Sequence, residues 1–187
     1  MTTGRDIGLL VVRASVGATL AAHGAQKLFG WFGGAGLEAT AAGFDSIGFR
    51  PGKANALAAG LGEAAGGALL AAGLGTAGAG AAAAATMAVA SSTHAPNGFF
   101  VNKGGLEFPA VLGAAALGVA FTGPGNLSLD HALGHRLNQG WMRAAALAAT
   151  IPAAVAIIGR RRRAAADAPA NDAGDHAEAP AGGGRDE

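Results

Sequence analysis

The apolar run from Ile7 to Trp31 is long enough to cross a bilayer, yet it carries Arg13, His23 and Lys27. At 100° per residue, Arg13, Gly17, Leu20, Gly24, Lys27 and Trp31 fall on one stripe, with His23 on its edge one turn before Lys27. Charge at the bilayer centre costs about 2.5–3.5 kcal/mol on insertion scales. A helix facing lipid does not carry cations along one line, so the stripe must face other helices, and those must supply acid. Two later apolar segments hold one carboxylate each, Glu63 and Glu107. These residues predict an intramembrane polar network of Arg13, His23, Gln26, Lys27, Glu63, Lys103 and Glu107. Lys103 is an i,i+4 neighbour of Glu107, but such a pair is worth only a few tenths of a kcal/mol and does not by itself account for the acid.

Charged residues make up 13% of the 187, about half the share usual in soluble domains. Nearly all of them lie between apolar runs or after residue 159, the pattern of a small polytopic membrane protein whose first partner is the lipid bilayer. Residues 1–163 hold 12 Lys/Arg against 6 Asp/Glu, and residues 164–187 hold one arginine against six acids. The absence of cysteine excludes disulfides, thiol relays, and Cys-ligated zinc or iron–sulfur centres in this chain. No basic surface interleaved with aromatics points to nucleic acid.

In chain order, Arg5 and the apolar sequence after it suit a retained first helix better than a cleaved leader, because Arg13 interrupts the run and Asp6 weakens its start. Gly30–Gly34 breaks the chain between aromatics suited to the membrane boundary. Leu37–Ile47 reads either as an interfacial amphipathic helix or as a structured loop. Further spans are expected at Ala54–Leu74, at Ala79–Thr93, from Lys103 to Phe121, and over the short run Trp141–Ile158, which Pro152 interrupts. Gly62 and Gly66 frame Glu63 in a GxxxG, a spacing that lets backbones approach. Ser128 suits the N-cap of a short segment, Leu129–Leu137, carrying Asp130, His131, His135 and Arg136. Arg160–Arg163 follows the last run, and Ala164–Glu187 is too poor in large apolar residues to fold.

Lys and Arg in the flanks give two orientations. Five crossings put eight cations on the side of the arginine block and three on the other, with the N-terminus outside; four crossings put seven against four, with the N-terminus inside. Both leave the arginine block and tail cytoplasmic.

Arg13 followed by His23-Gly24-Ala25-Gln26-Lys27-Leu28, then Gly62-Glu63-Ala64-Ala65-Gly66-Gly67, carry a resemblance. Asn97-Gly98-Phe99, Gly104-Gly105-Leu106-Glu107-Phe108, Gly123-Pro124-Gly125 and Leu127-Ser128-Leu129-Asp130 extend it. Together they resemble the DoxX family of small bacterial membrane proteins over residues 5–130. The resemblance implies an all-α, four-helix membrane bundle in the bacterial plasma membrane. Beyond the bundle at 1–130, composition gives an amphipathic segment with a fifth helix at 131–163 and a disordered tail at 164–187, to which the resemblance does not extend. The resemblance further implies association with membrane redox systems, with a redox-complex protein partner and a quinone as ligand. A homo-oligomer is equally compatible with these residues.

The expected role is an accessory, quinone- or partner-binding subunit that is not catalytic alone. The alternative is a small proton-coupled transporter or channel working through Glu63 and Glu107. The network itself can serve register or form a site. His23 can hold a quinone head group or be an ordinary helix-end histidine. His23 and His94 as haem ligands, or His131 and His135 as a metal pair, lack any supporting cradle, so no metal is expected.

Overall fold

The computed structural model describes residues 3–167, which contain seven α-helices and no strand. They are α1 (Gly4–Phe29), α2 (Gly36–Ser46), α3 (Gly52–Ala72), α4 (Thr76–His94), α5 (Glu107–Thr122), α6 (Leu129–Ala132) and α7 (Gly140–Ala166). Thr3 starts α1 with a capping box to Asp6, and Gly30, at φ 72°, ends it in the left-handed region that a side chain would disfavour. Leu37–Ile47 is helical, as α2. The segment expected at Leu129–Leu137 stops after one turn, because Gly134 and His135 both turn to positive φ. In contrast, α7 outruns its apolar run and carries Arg160–Arg163 in its last two turns. The disordered tail expected at 164–187 lies, beyond Asp167, outside the described residues.

α1 packs on α3 and α5, α4 packs on α3 and α5, and α7 lies along α4. Side-chain contacts give the directions. His23, near the end of α1, stacks on Phe108 at the start of α5, while Arg5 reaches Thr122 at the end of α5. Thus α3 and α5 run against α1, and α4 and α7 run with it. Where the four helices meet, Val16, Leu20, Leu70, Ala83, Met87 and Val119 form the core. Two helices, α1 and α7, are long and apolar enough on their own to cross a membrane. α5 is apolar but has 16 residues, and glycine, alanine and hydroxyl side chains dilute α3 and α4.

The α1–α3 contact is backbone on backbone. A Cβ on Gly17 would strike the Gly67 carbonyl, one on Gly24 would strike the Ala64 amide, and one on Gly67 would come within 2.5 Å of Gly17 O. The GxxxG at Gly62 and Gly66 plays no part in this seam: a Cβ on Gly66 meets nothing within 4 Å, and one on Gly62 meets only Thr86 Oγ1 at 3.6 Å. The reason is phase. Gly60, Glu63 and Gly67 share one helix face, and Gly62 and Gly66 sit about 100° round from Glu63 and Gly67. Gly17→Leu is therefore expected to push α1 off α3 and cost about 1–3 kcal/mol or more by overpacking, whereas Gly66→Leu leaves stability near wild type. Thermal unfolding in detergent measures both, and equal losses would contradict the assignment of the seam.

Candidate functional site

Because Glu63 shares the face of Gly60 and Gly67, the close α1–α3 approach brings it to Lys27 on α1. Lys27 Nζ stands 2.5 Å from Glu63 Oε2, with the carboxylate side chain 5% exposed and the lysine 24%. This pair forms one wall of an open-sided cavity of about 390 Å³ lined also by α2, α3, α4 and α7. Phe44 and Phe49 close it at the α2 end, Ala85 and Val89 come from α4, and Ala154 and Ile157 from α7. Its volume falls in the range of small-molecule sites, and its walls are apolar with few polar groups, as such sites are. Most of those polar groups are already committed. Thr86 and Thr93 donate back to Ala82 and Ala90 carbonyls at 3.0 and 2.7 Å, and Asn55 donates to Pro51 O at 2.8 Å. His94 Nδ1 donates to Gly104 O at 2.8 Å. Lys27 is the exception: an ammonium has three donor hydrogens, and Glu63 is its one hydrogen-bond partner among the described residues.

Arg161 latches the far end of α7 over the cavity. Its Nε donates to Ile47 O and its Nη1 to Ser92 O, both at 3.1 Å, and its guanidinium lies 5.6 Å from the centre of the Phe49 ring. The end of the arginine block nearest the apolar run thus acts in packing as well as in charge.

The structure divides the network expected from the sequence into separate places. Only Lys27 and Glu63 meet. Glu107 is the first residue of α5 and accepts from Val101 N at 3.0 Å, tying down the loop before it. Lys103 ends a 3₁₀ turn and is exposed; Gly104, at φ 74°, breaks the chain there, so Lys103 and Glu107 do not share a helix. Gln26 donates to Phe32 O at 3.3 Å, holding the turn after α1. The His23 ring stacks at 5.4 Å on Phe108 and does not line the cavity.

Arg13 lies 14 residues before Lys27 on α1, roughly 21 Å along the axis. It is 1% exposed. It donates to the Ala71 carbonyl at 2.6 Å, at the end of α3, and to the Leu127 carbonyl. The acid in its neighbourhood is neither Glu63 nor Glu107 but Asp130, whose backbone amide donates at 2.8 Å to the carbonyl of Gly73, a residue packed against the Arg13 guanidinium. Asp130 is fully buried and accepts from Gly75 N, Thr76 N and Thr76 Oγ1 at 2.8, 2.9 and 2.8 Å. One cation thus satisfies a carbonyl at the end of α3 and another in the loop after α5, and one carboxylate satisfies amides at the start of α4. Nothing in hydrophobic period marks Asp130, which stands in a polar loop next to two histidines; its place in the Leu127–Asp130 motif is the only hint.

Residues 8–96 match the family model DoxX. That stretch of the chain carries a DoxX domain. No curated protein and no solved structure matches it. The family match, with the apolar α1 and α7, makes the chain a small integral membrane protein. It spans α1 to α4 and so includes Arg13, Lys27 and Glu63. The wall that α7 adds to the cavity, and Asp130, lie beyond it.

Proposed function

We propose that this DoxX protein binds a lipid-soluble ligand in the cavity beside Lys27 and Glu63, and that a quinone head group is the ligand class. The observation that carries this reading is an apolar cavity walled by Lys27, whose ammonium is paired with the buried Glu63 carboxylate and has donor hydrogens without a partner among the described residues. Lys27 is the residue that would donate to a carbonyl oxygen, and Glu63 holds the ammonium in position. The chain has no cysteine and, among the described residues, no cluster of three metal-ligating side chains. The role that suits it is an accessory subunit whose protein partner carries out electron transfer. The course of the helices favours five crossings, α1, α3, α4, α5 and α7, in a bacterial plasma membrane. Lys27, Arg50, Lys53, Lys103 and the arginine block then share one side, cytoplasmic by the excess of cations. The transporter reading is less well supported, because Glu107 is bonded within its own loop and away from the cavity.

The test is photolabelling of the full chain in nanodiscs with an azido-quinone, followed by peptide mapping. Label is expected on α3, α4 and α7. Ala85→Trp, which fills the chamber, is expected to abolish it, and Lys27→Met to reduce it at least ten-fold. Label spread evenly over lipid-facing helices, and unchanged by Ala85→Trp, would overturn the reading.

A further inference from the structure

The opposite end of the molecule holds a second pocket, of about 580 Å³, between the start of α1, the loop after α5 and the start of α7. Its charged and amide side chains include Arg5, Asp6, His135, Asn138 and Arg143. Asp6 is the one carboxylate among the lining residues, and it is fully engaged. It accepts from Thr3 N and Oγ1 at 2.9 and 2.8 Å, and from Asn126 N and Nδ2 at 2.8 and 3.2 Å.

The two guanidiniums are not engaged in this way. Arg5 makes one long hydrogen bond, from Nη2 to Thr122 O at 3.4 Å. Neither arginine lies within ion-pair distance of a carboxylate among the described residues. Arg143 Nε and Asn138 Oδ1 are buried and have no hydrogen-bond partner among the described residues. Buried polar atoms in native proteins are nearly always satisfied, by protein, water or a bound group. Those two atoms are sealed from solvent; what the pocket offers a ligand is an excess of positive charge, from two arginines that line it and have no carboxylate partner among the described residues.

Guanidinium groups match the oxygens of oxyanions in geometry as well as charge. A phosphate or phosphodiester offers several such oxygens, enough for two guanidiniums at once. Trp141, two residues before Arg143, is 67% exposed. An indole at that position suits the headgroup level of a bilayer.

We propose that this pocket binds a phosphate group, with Arg5 and Arg143 on its anionic oxygens. The same chemistry comes from two sources: inorganic phosphate, or the headgroup of a phospholipid.

The test uses the full chain in phospholipid-free detergent micelles, titrated with sodium phosphate in one arm and dioctanoyl phosphatidylglycerol in the other. Sodium chloride at matched ionic strength sets the baseline, which removes simple screening. The unfolding midpoint is expected to rise above baseline in at least one arm. A response to phosphate identifies a free-anion site, and a response to the lipid alone identifies a headgroup site. Arg143→Gln should weaken the apparent affinity at least ten-fold. Arg5→Gln changes an exposed side chain, leaves folding intact and should weaken it likewise. No rise above baseline in either arm, or unchanged affinity in Arg5→Gln, overturns the proposal.

Discussion

Lys27→Met lowers the thermal unfolding midpoint of the detergent-solubilised protein more than Glu63→Gln does, and the double variant recovers most of the loss. The asymmetry follows from exposure. Removing the lysine strands a carboxylate that is only 5% exposed, whereas removing the acid leaves a cation that is 24% exposed and can turn into the cavity. Breaking a buried pair typically costs about 3–5 kcal/mol, while replacing both partners by neutral groups is often close to neutral. Lys27→Met should approach the lower end of that range and Glu63→Gln stay below it. Ligand binding should be lost in both single variants and remain lost in the double one. That split separates a pair needed for folding from a pair needed for the ligand. A double variant as unstable as Lys27→Met would mean the cost lies in packing around the lysine stem and not in the stranded charge.

Asp130→Ala should be the most damaging single substitution outside that pair. It leaves three donors on Gly75 and Thr76 without their acceptor. α4 has no side-chain cap of its own, so nothing local replaces it. Hydrogen bonds to charged groups are worth about 1.5–3 kcal/mol each before non-additivity, and a stranded buried donor costs about 1–3 kcal/mol. A net loss of about 3–5 kcal/mol is expected, a large fraction of the roughly 5–15 kcal/mol that keeps a protein of ordinary stability folded. Asp130→Asn keeps one acceptor oxygen and should fall between alanine and wild type. The measurement is the unfolding midpoint together with hydrogen exchange at the first turn of α4. Wild-type exchange there in Asp130→Ala would refute the cap.

α1, α3, α4 and α5 are legible because each is an apolar run ended at or just before glycine or proline, and the side chains that decide them are local. The eleven residues of α2 carry too weak a period to separate helix from loop. The polar network was harder. The stripe of cations on α1 correctly implied that this face meets protein, but the partners lie on other helices, and spacing along one chain does not say which ones. Lys27 finds Glu63 because Gly17, Gly24 and Gly67 let two backbones touch. Arg13 finds carbonyls and Asp130 because the chain returns from α5 across the α3–α4 turn. Glu107 is drawn off by a backbone amide six residues before it.

Sequence alone determined that the chain is helical and membrane-embedded, that its first helix carries charge toward other helices, and that residues around Arg13, Lys27 and Glu63 follow the DoxX pattern. These depend on composition and on neighbours within a few turns. Only the tertiary structure decided which acid meets which base, that α7 walls the cavity, and that the ends of α3 and α4 are satisfied by residues more than fifty positions away. Those outcomes are set by helix phase and by the crossing of distant segments, and neither leaves a mark in local periodicity.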